Sequence, residues 1–383
     1  MKLAILCTMV KRFGRKGFYN SQEIGLARAL TAMGHTVIIY KGTNDKSQVE
    51  DVQLEDNLTV HYMFMPYFGA HGYIAPSRMD RDFDGMLCFS DQQIFLPHVY
   101  RFCRKNGIVF VPYVGTTYSL YVNTLRGDVM NRIFACTTLP LYRKIPVLAK
   151  TDAAKGELEQ LGVPSENITV SPVGIDASVL KKDFLSCDRA ALRREFGFAS
   201  DDVILLNVAR LDHDKRTMDL LRLFHDVRGK KKFRLLIVGE GELREAVDQK
   251  IRAYGIEGEV TILDRVPYED MWKVYTIADY YLNLSRTEIF GMAIMEAVYY
   301  QTSVAAIQAI GPSLTLKGKR GHRLCETDEQ IEEWILGDYP PQEALAESGE
   351  KIIREFSWDV TAKAFLQKVC PQPQESRDRK EPL

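Results

Sequence analysis

The feature that most narrows what this chain can become is an alternation, repeated in both halves, of short apolar runs with helical stretches. In the first half the runs fall at residues 3–6, 37–40, 58–64, 85–89, 109–114 and 146–151. In the second they fall at 203–209, 235–238, 260–263, 280–284 and 303–307. Helical segments, such as 94–104 and 152–161, lie between them. Strands alternating with helices predict an α/β fold, and the fresh start near residue 203 predicts a second doubly wound, Rossmann-like sheet. At 383 residues the chain has room for two domains. The run Ser171-Pro172-Val173-Gly174-Ile175-Asp176 brings proline and glycine close together and marks a linker.

The charge balance, 50 basic against 51 acidic residues, leaves a formal net charge of -1. No global field therefore draws this chain to nucleic acid or to a membrane surface. Its seven cysteines are scattered without a C-x-x-C pair, as expected for reduced core residues of a cytoplasmic protein. The N-terminus reads as a strand, since its apolar run is too short for a signal peptide and Lys11 and Arg12 follow. No apolar stretch is long enough to span a bilayer, so membrane contact is expected to be peripheral at most. The segment 311–321, with Lys317, Lys319 and Arg320, reads as a mobile basic loop. Residues 371–383 lack apolar periodicity and are expected to be disordered.

One strand–loop–helix unit concentrates the chemistry. The strand at 280–284 runs into Ser285-Arg286-Thr287-Glu288-Ile289-Phe290-Gly291, and a largely apolar helix with Met292, Ile294, Met295, Ala297 and Val298 follows. A short glycine-bearing loop there sets backbone N–H groups at the carboxyl end of a parallel sheet, ready for a phosphate. Glu288 and Glu296 bracket that place. A carboxylate repels phosphate but accepts hydrogen bonds from sugar hydroxyls. Phosphate recognition beside hydroxyl recognition suggests a nucleotide-sugar site. Upstream, Arg210 closes one strand and Lys215 opens the next helix. Arg can fork onto two phosphate oxygens, and Lys supplies a compact point charge.

These residues resemble the Glu-x7-Glu signature of retaining glycosyltransferases of the GT-B fold, family 4. The spacing from Glu288 to Glu296 fits, Phe290-Gly291 stands at the family's Phe-Gly, and Ile289 replaces the glycine usual before it. Ala209-Arg210-Leu211-Asp212-His213-Asp214-Lys215-Arg216 resembles Gly-Arg-Leu-x3-Lys-Gly with both flanking glycines replaced. In the first βαβ unit Gly17 matches the first glycine of a Gly-Gly loop, and Phe18 replaces the second. After the strand ending in Tyr113 and Val114, Gly115, Thr116 and Thr117 stand where many relatives have a histidine facing the acceptor.

The resemblance implies two facing doubly wound domains, at 1–172 and 173–358, with a terminal helix at 359–370 crossing back to the first. It implies a retaining enzyme that moves a hexose-type sugar from a nucleotide-sugar donor, UDP before GDP, to a glycan or lipid-linked acceptor. Arg210 and Lys215 would steady the leaving diphosphate, and Glu288 would hold the reacting sugar. Glu296 would hold the ribose, and Met292 would offer its N–H to the diphosphate. Gly239 and Gly241 would line the base pocket, though a tight turn explains them equally well. Tyr113, Gly115, Thr116 and Thr117 would lie on the acceptor side.

No cofactor or metal is expected. The overlapping Asp-x-Asp triplets at Asp80, Asp82 and Asp84 lie ahead of 85–89, in the half assigned to the acceptor, and Asp212 and Asp214 read as a turn and a helix N-cap. His35, His98 and His322 lack metal-ligand spacing. Two other readings stay open: a nucleotide-sugar epimerase or hydrolase of the same fold, and a donor-binding subunit without catalysis.

Overall fold

The computed structural model describes residues 1–10, 21–117 and 124–370. Contacts between Cα atoms divide the chain into two units, Met1–Asp176 with Trp358–Leu383, and Ala177–Ser357. The boundaries thus fall at 176/177 and 357/358, beside the sequence expectation of 172/173 and 358/359.

In the first unit β1 (Lys2–Cys7) leads to α1 (Gln22–Ala32) and β2 (Thr36–Thr43). Then come β3 (Glu50–Glu55), β4 (Leu58–Phe64), the short β5 (Tyr67–Phe68) and β6 (His71–Gly72), and β7 (Gly85–Phe89). Next are α2 (Leu96–Lys105), β8 (Val109–Val114), α3 (Leu125–Thr137), α4 (Leu139–Tyr142), β9 (Val147–Ala149), α5 (Asp152–Gln160) and β10 (Ile168–Val170). The eight-stranded sheet runs β10-β9-β8-β7-β1-β2-β4-β3 and is parallel except for β3. Strand β3, absent from the sequence reading, is a charged, largely exposed edge strand; its pattern carries no buried apolar run to find. The parallel strands are buried nearly throughout, as both faces of such a sheet are covered. Their carboxyl ends share one edge because Cys7 pairs with Lys41 and with Phe89, and Phe89 with Tyr113.

The second unit holds α6 (Arg189–Glu195), β11 (Val203–Val208), α7 (Thr217–Val227), β12 (Phe233–Val238), α8 (Arg244–Tyr254) and β13 (Val260–Leu263). It continues with α9 (Met271–Ile277), β14 (Tyr280–Asn283), α10 (Met292–Tyr299), β15 (Ser303–Ile307), α11 (Ile310–Thr315), β16 (Arg323–Cys325), α12 (Asp328–Leu336) and α13 (Gln342–Phe356). Its six-stranded parallel sheet runs β13-β12-β11-β14-β15-β16. The order reverses between β11 and β14, the switch point outside whose carboxyl ends ligands bind in open α/β sheets.

The last helix, α14 (Trp358–Val369), belongs to the first unit. Trp358 is 2 % exposed and packs against Gly25 of α1, where a Cβ would overlap the indole. The Thr361 hydroxyl donates to the Pro172 carbonyl at 2.6 Å and accepts from Ser171 at 2.9 Å.

The segment 311–321 is not the mobile loop expected. Residues 310–315 form α11, and the Lys319 side chain is fully buried, 2.6 Å from Glu355 and over the Phe356 ring. A basic run reads as exposed only until a tertiary partner takes up its charge. The tail 371–383 and the glycine loop 11–20, with Gly17 and Phe18, lie outside the described residues.

Candidate functional site

In the second unit β14 ends at Asn283, whose side chain accepts the Ser285 N–H at 3.0 Å and turns the chain out of the sheet. The loop then closes at Gly291, which takes φ 82° and ψ 56° as the N-cap of α10. That left-handed conformation suits glycine, because an L side chain there crowds the following carbonyl. Phe290 is buried with its ring edge-to-face against Phe356, 5.9 Å between centroids. Gly311 packs so closely on the Phe290 backbone that a Cβ would sit 2.6 Å from it.

Glu288 is tied at three points. Its Oε1 accepts the Gly291 N–H at 3.1 Å, its Oε2 meets Lys215 Nζ at 2.9 Å, and its carbonyl accepts the Gly311 N–H at 2.8 Å. Lys215 ends a 3₁₀ turn, His213–Lys215, that follows β11. Arg210 pairs with Asp212 and approaches Asp214, which also stands 3.8 Å from Lys215. Arg210, Asp214, Lys215 and Glu288 therefore form one continuous charged cluster. Asp214 was expected to be a helix N-cap; α7 instead begins at Thr217, and its cap position is Arg216 at φ 56°. The aspartate lies in the preceding turn, between the two cations.

Two turns close the neighbouring wall. A Cβ on Gly239 would fall on the Ala209 carbonyl oxygen, and one on Gly241 would come 2.5 Å from the Leu211 carbonyl oxygen. These glycines let the β12 loop lie against the β11 loop, which is a packing reason for both. Met292 is half-buried at the first position of α10. Glu296 lies inside at 1 % exposure, accepting from the Tyr275 hydroxyl at 2.7 Å and the Tyr268 hydroxyl at 3.4 Å. Burial raises the pKa of Tyr281, and the charges of Glu288 and Glu296 nearby add to the rise.

The carboxyl edge of the first unit carries the other expected residues. Tyr113 is fully buried, within the packing of the unit rather than on its surface. The Gly115 N–H donates to Asp91 Oδ1, and the Thr116 N–H reaches the same oxygen at 3.3 Å. Asp91 Oδ2 meets Lys150 Nζ at 2.6 Å, and that ammonium lies over the Phe89 and Tyr113 rings. A Cβ on Gly115 would come 2.8 Å from the Lys150 chain, so the ion pair needs glycine there. The Thr117 hydroxyl donates to Glu157 at 2.7 Å. Nearby, Lys41 and Glu23 form a buried pair at 2.5 Å. Burial disfavours the Lys41 charge, but Glu23 beside it more than offsets this and raises its pKa.

Asp91, Lys150, Glu23, Lys41, Ser285 and Arg216 were not singled out from sequence. Their partners lie on other elements, and no local pattern could have announced the pairs. Among the described residues no group of three His, Cys, Asp or Glu could hold a metal ion. The Asp-x-Asp side chains are engaged elsewhere: Asp80 and Asp82 hold the Lys2 ammonium at 3.2 and 2.7 Å, and Asp84 accepts the Lys2 N–H at 2.8 Å.

Comparison with known proteins agrees with this fold. Residues 188–337 match the family of glycosyl transferases group 1. The chain is 23% identical to an uncharacterized glycosyltransferase of Methanocaldococcus jannaschii, with 88% of this chain and 90% of the relative covered. It is also 23% identical to the D-inositol 3-phosphate glycosyltransferase of Jonesia denitrificans, covering 95% of each. The fold matches the crystal structure of Anabaena Alr3699/HepE in complex with UDP and glucose, with a TM-score of 0.71, 16% identity, and 96% of this chain and 99% of that one covered. Over residues 188–337 the chain is thus similar to the group 1 glycosyltransferases, and its fold is of the GT-B type.

Proposed function

We propose that this protein is a retaining, metal-independent hexosyltransferase that takes its sugar from a nucleotide-sugar donor, UDP-linked rather than GDP-linked. The acceptor is a glycan or a lipid-linked molecule, and the protein works in the cytoplasm with at most peripheral membrane contact. The observation that carries this reading is the contact of Lys215 with Glu288 beside the α10 N-terminus, at the switch point of the second sheet.

As the sugar–oxygen bond breaks, charge builds on the leaving diphosphate. Lys215 and Arg210 stabilise it, and the α10 N-terminus adds oriented N–H groups. Glu288, already fixed at its backbone and its carboxylate, accepts hydrogen bonds from the sugar hydroxyls. Retention then follows from attack on the face the diphosphate leaves, with a phosphate oxygen taking the acceptor proton. No protein nucleophile is needed. The UDP and glucose present in the Anabaena structure support the choice of donor. The engagement of the Asp-x-Asp carboxylates by Lys2 and Arg210 supports metal independence.

Thermal-shift screening against UDP- and GDP-sugars tests the donor. A larger shift with UDP-sugars is expected, and no shift with either would overturn the reading. Turnover of the donor without an acceptor would mark a hydrolase or epimerase instead. Proton NMR of the first product is expected to show the donor's anomeric configuration, and activity is expected to persist in EDTA.

A further inference from the structure

Lys215 is flanked by two residues tied to the same stretch of backbone. On one side the Asp214 carbonyl accepts the Ser285 hydroxyl at 2.9 Å. On the other, Arg216 Nη1 donates to the Leu284 carbonyl at 3.2 Å. Leu284 and Ser285 begin the loop that carries Glu288. The guanidinium also forks onto Asp328, Nη1 to Oδ1 at 3.0 Å and Nη2 to Oδ2 at 2.8 Å, while Nε reaches Asp219 at 2.7 Å. The Asp328 carboxylate is 12% exposed, at the first residue of α12. A bidentate fork of this kind fixes direction as well as distance.

Arg216 does this from a backbone that does not favour it. Its φ of 56° and ψ of 36° place it in the left-handed region, which L residues other than Gly, Asn and Asp seldom enter. Glycine would hold the same backbone without strain but could make none of the ties. Burial works against the charge of Arg216, yet its bonds to Asp328 and Asp219 raise its pKa all the same. The side chain is therefore the reason for an arginine here: it joins the Lys215 turn, the Glu288 loop and the start of α12.

We propose that Arg216, locked by Asp328, is a positioning residue that holds Lys215 and the Glu288 loop in the geometry that receives the donor diphosphate. This rests on the donor-site reading above. The Lys215–Glu288 contact is short, and neither group is held by a shared element; a small slip of either loop separates them. The Arg216 clamp and the Ser285 hydroxyl are what joins the loops on both sides of the lysine.

The test uses the full chain with Arg216→Gly, Arg216→Lys, Asp328→Asn and the double variant Arg216→Gly/Asp328→Asn. In ligand-free protein, hydrogen–deuterium exchange over 212–217 and 284–291 is expected to quicken in Arg216→Gly by more than in the rest of the second unit, which separates loss of the clamp from a general loss of stability. Unchanged exchange in both segments overturns the proposal. UDP and GDP are then titrated by calorimetry, the one bound by the wild type serving as probe. Arg216→Gly and Asp328→Asn are each expected to weaken it about tenfold, the lower end of the range for removing a contact that orients a metal ligand. The double variant is expected to be no weaker than either single, since both remove one clamp. Arg216→Lys cannot fork and is expected not to restore affinity. Lys215→Ala is the control. If it weakens the nucleotide and Arg216→Gly does not, the donor reading stands and the clamp falls. If Lys215→Ala changes nothing, the donor reading itself falls, and the proposal with it.

Discussion

The Lys215 ammonium stands 2.9 Å from the Glu288 carboxylate, two groups 73 residues apart in sequence with side chains 17% and 19% exposed. Around them Arg210 and Lys215 face Asp212, Asp214 and Glu288, so carboxylates outnumber cations in this cluster. On the proposed function, a donor diphosphate would have to draw both cations away from these partners. Glu288 would then have two opposed effects: it would compete with phosphate for Lys215 before the sugar arrives, and bind the sugar afterwards.

Those effects separate in Glu288→Gln. The amide keeps a hydrogen-bond acceptor but no charge, so UDP is expected to bind as well as or better than to the wild type. Transfer is expected to fall by about a hundredfold or more, the scale for removing a preorganised charged group. Calorimetry with UDP and a turnover assay check the two halves. Weaker UDP binding with full turnover would contradict the assignment of Glu288.

Arg210→Ala and Lys215→Ala are each expected to remove about 2–4 kcal/mol of transition-state stabilisation. If both act on one diphosphate, as proposed, the double variant should lose less than the sum. Initial rates at low donor concentration measure this. Full additivity with unchanged nucleotide affinity would show that the two do not share a ligand.

Gly239→Ala tests the closure of the β12 loop on the β11 loop. The added methyl meets the Ala209 carbonyl oxygen, a backbone atom that cannot step aside. The expected loss is about 2–3 kcal/mol, or roughly 5–10 °C in melting temperature. Gly258→Ala, where a Cβ meets nothing within 4 Å, is the matched control and should be nearly neutral.

His322 should make the protein sensitive to acid. Its Nδ1 accepts the Val304 N–H at 3.1 Å, and its Nε2 is buried. Burial, with Lys319 nearby, pushes its pKa down to about 3 from the usual 6.5. Between those values the unfolded chain takes up a proton that the folded chain refuses, so stability falls as pH drops below 6.5. The loss from this group reaches about 2 kcal/mol at pH 5. Melting curves at pH 7 and pH 5 should show a smaller gap in His322→Gln, whose side-chain oxygen can still accept the Val304 N–H.

The sequence by itself determined the alternation that makes two parallel sheets, because strands buried on both faces must be continuously apolar and the helices that cover them must lie between. It also determined the loop around Glu288 and Gly291, since a strand, a short glycine-bearing loop and an apolar helix follow one another without interruption. Partnership was decided by tertiary structure alone. Nothing near Lys215 in the chain announces Glu288, nothing near Arg216 announces Asp328, and Asp91 finds Lys150 only when β7 and β9 end at one edge. Lys319 makes the same point from the other side, since a lysine in a basic run can be fully buried once Glu355 and the Phe356 ring receive it. Periodicity is a property of neighbours in sequence, whereas charge pairing across loops depends on distances that exist only after the sheets have formed.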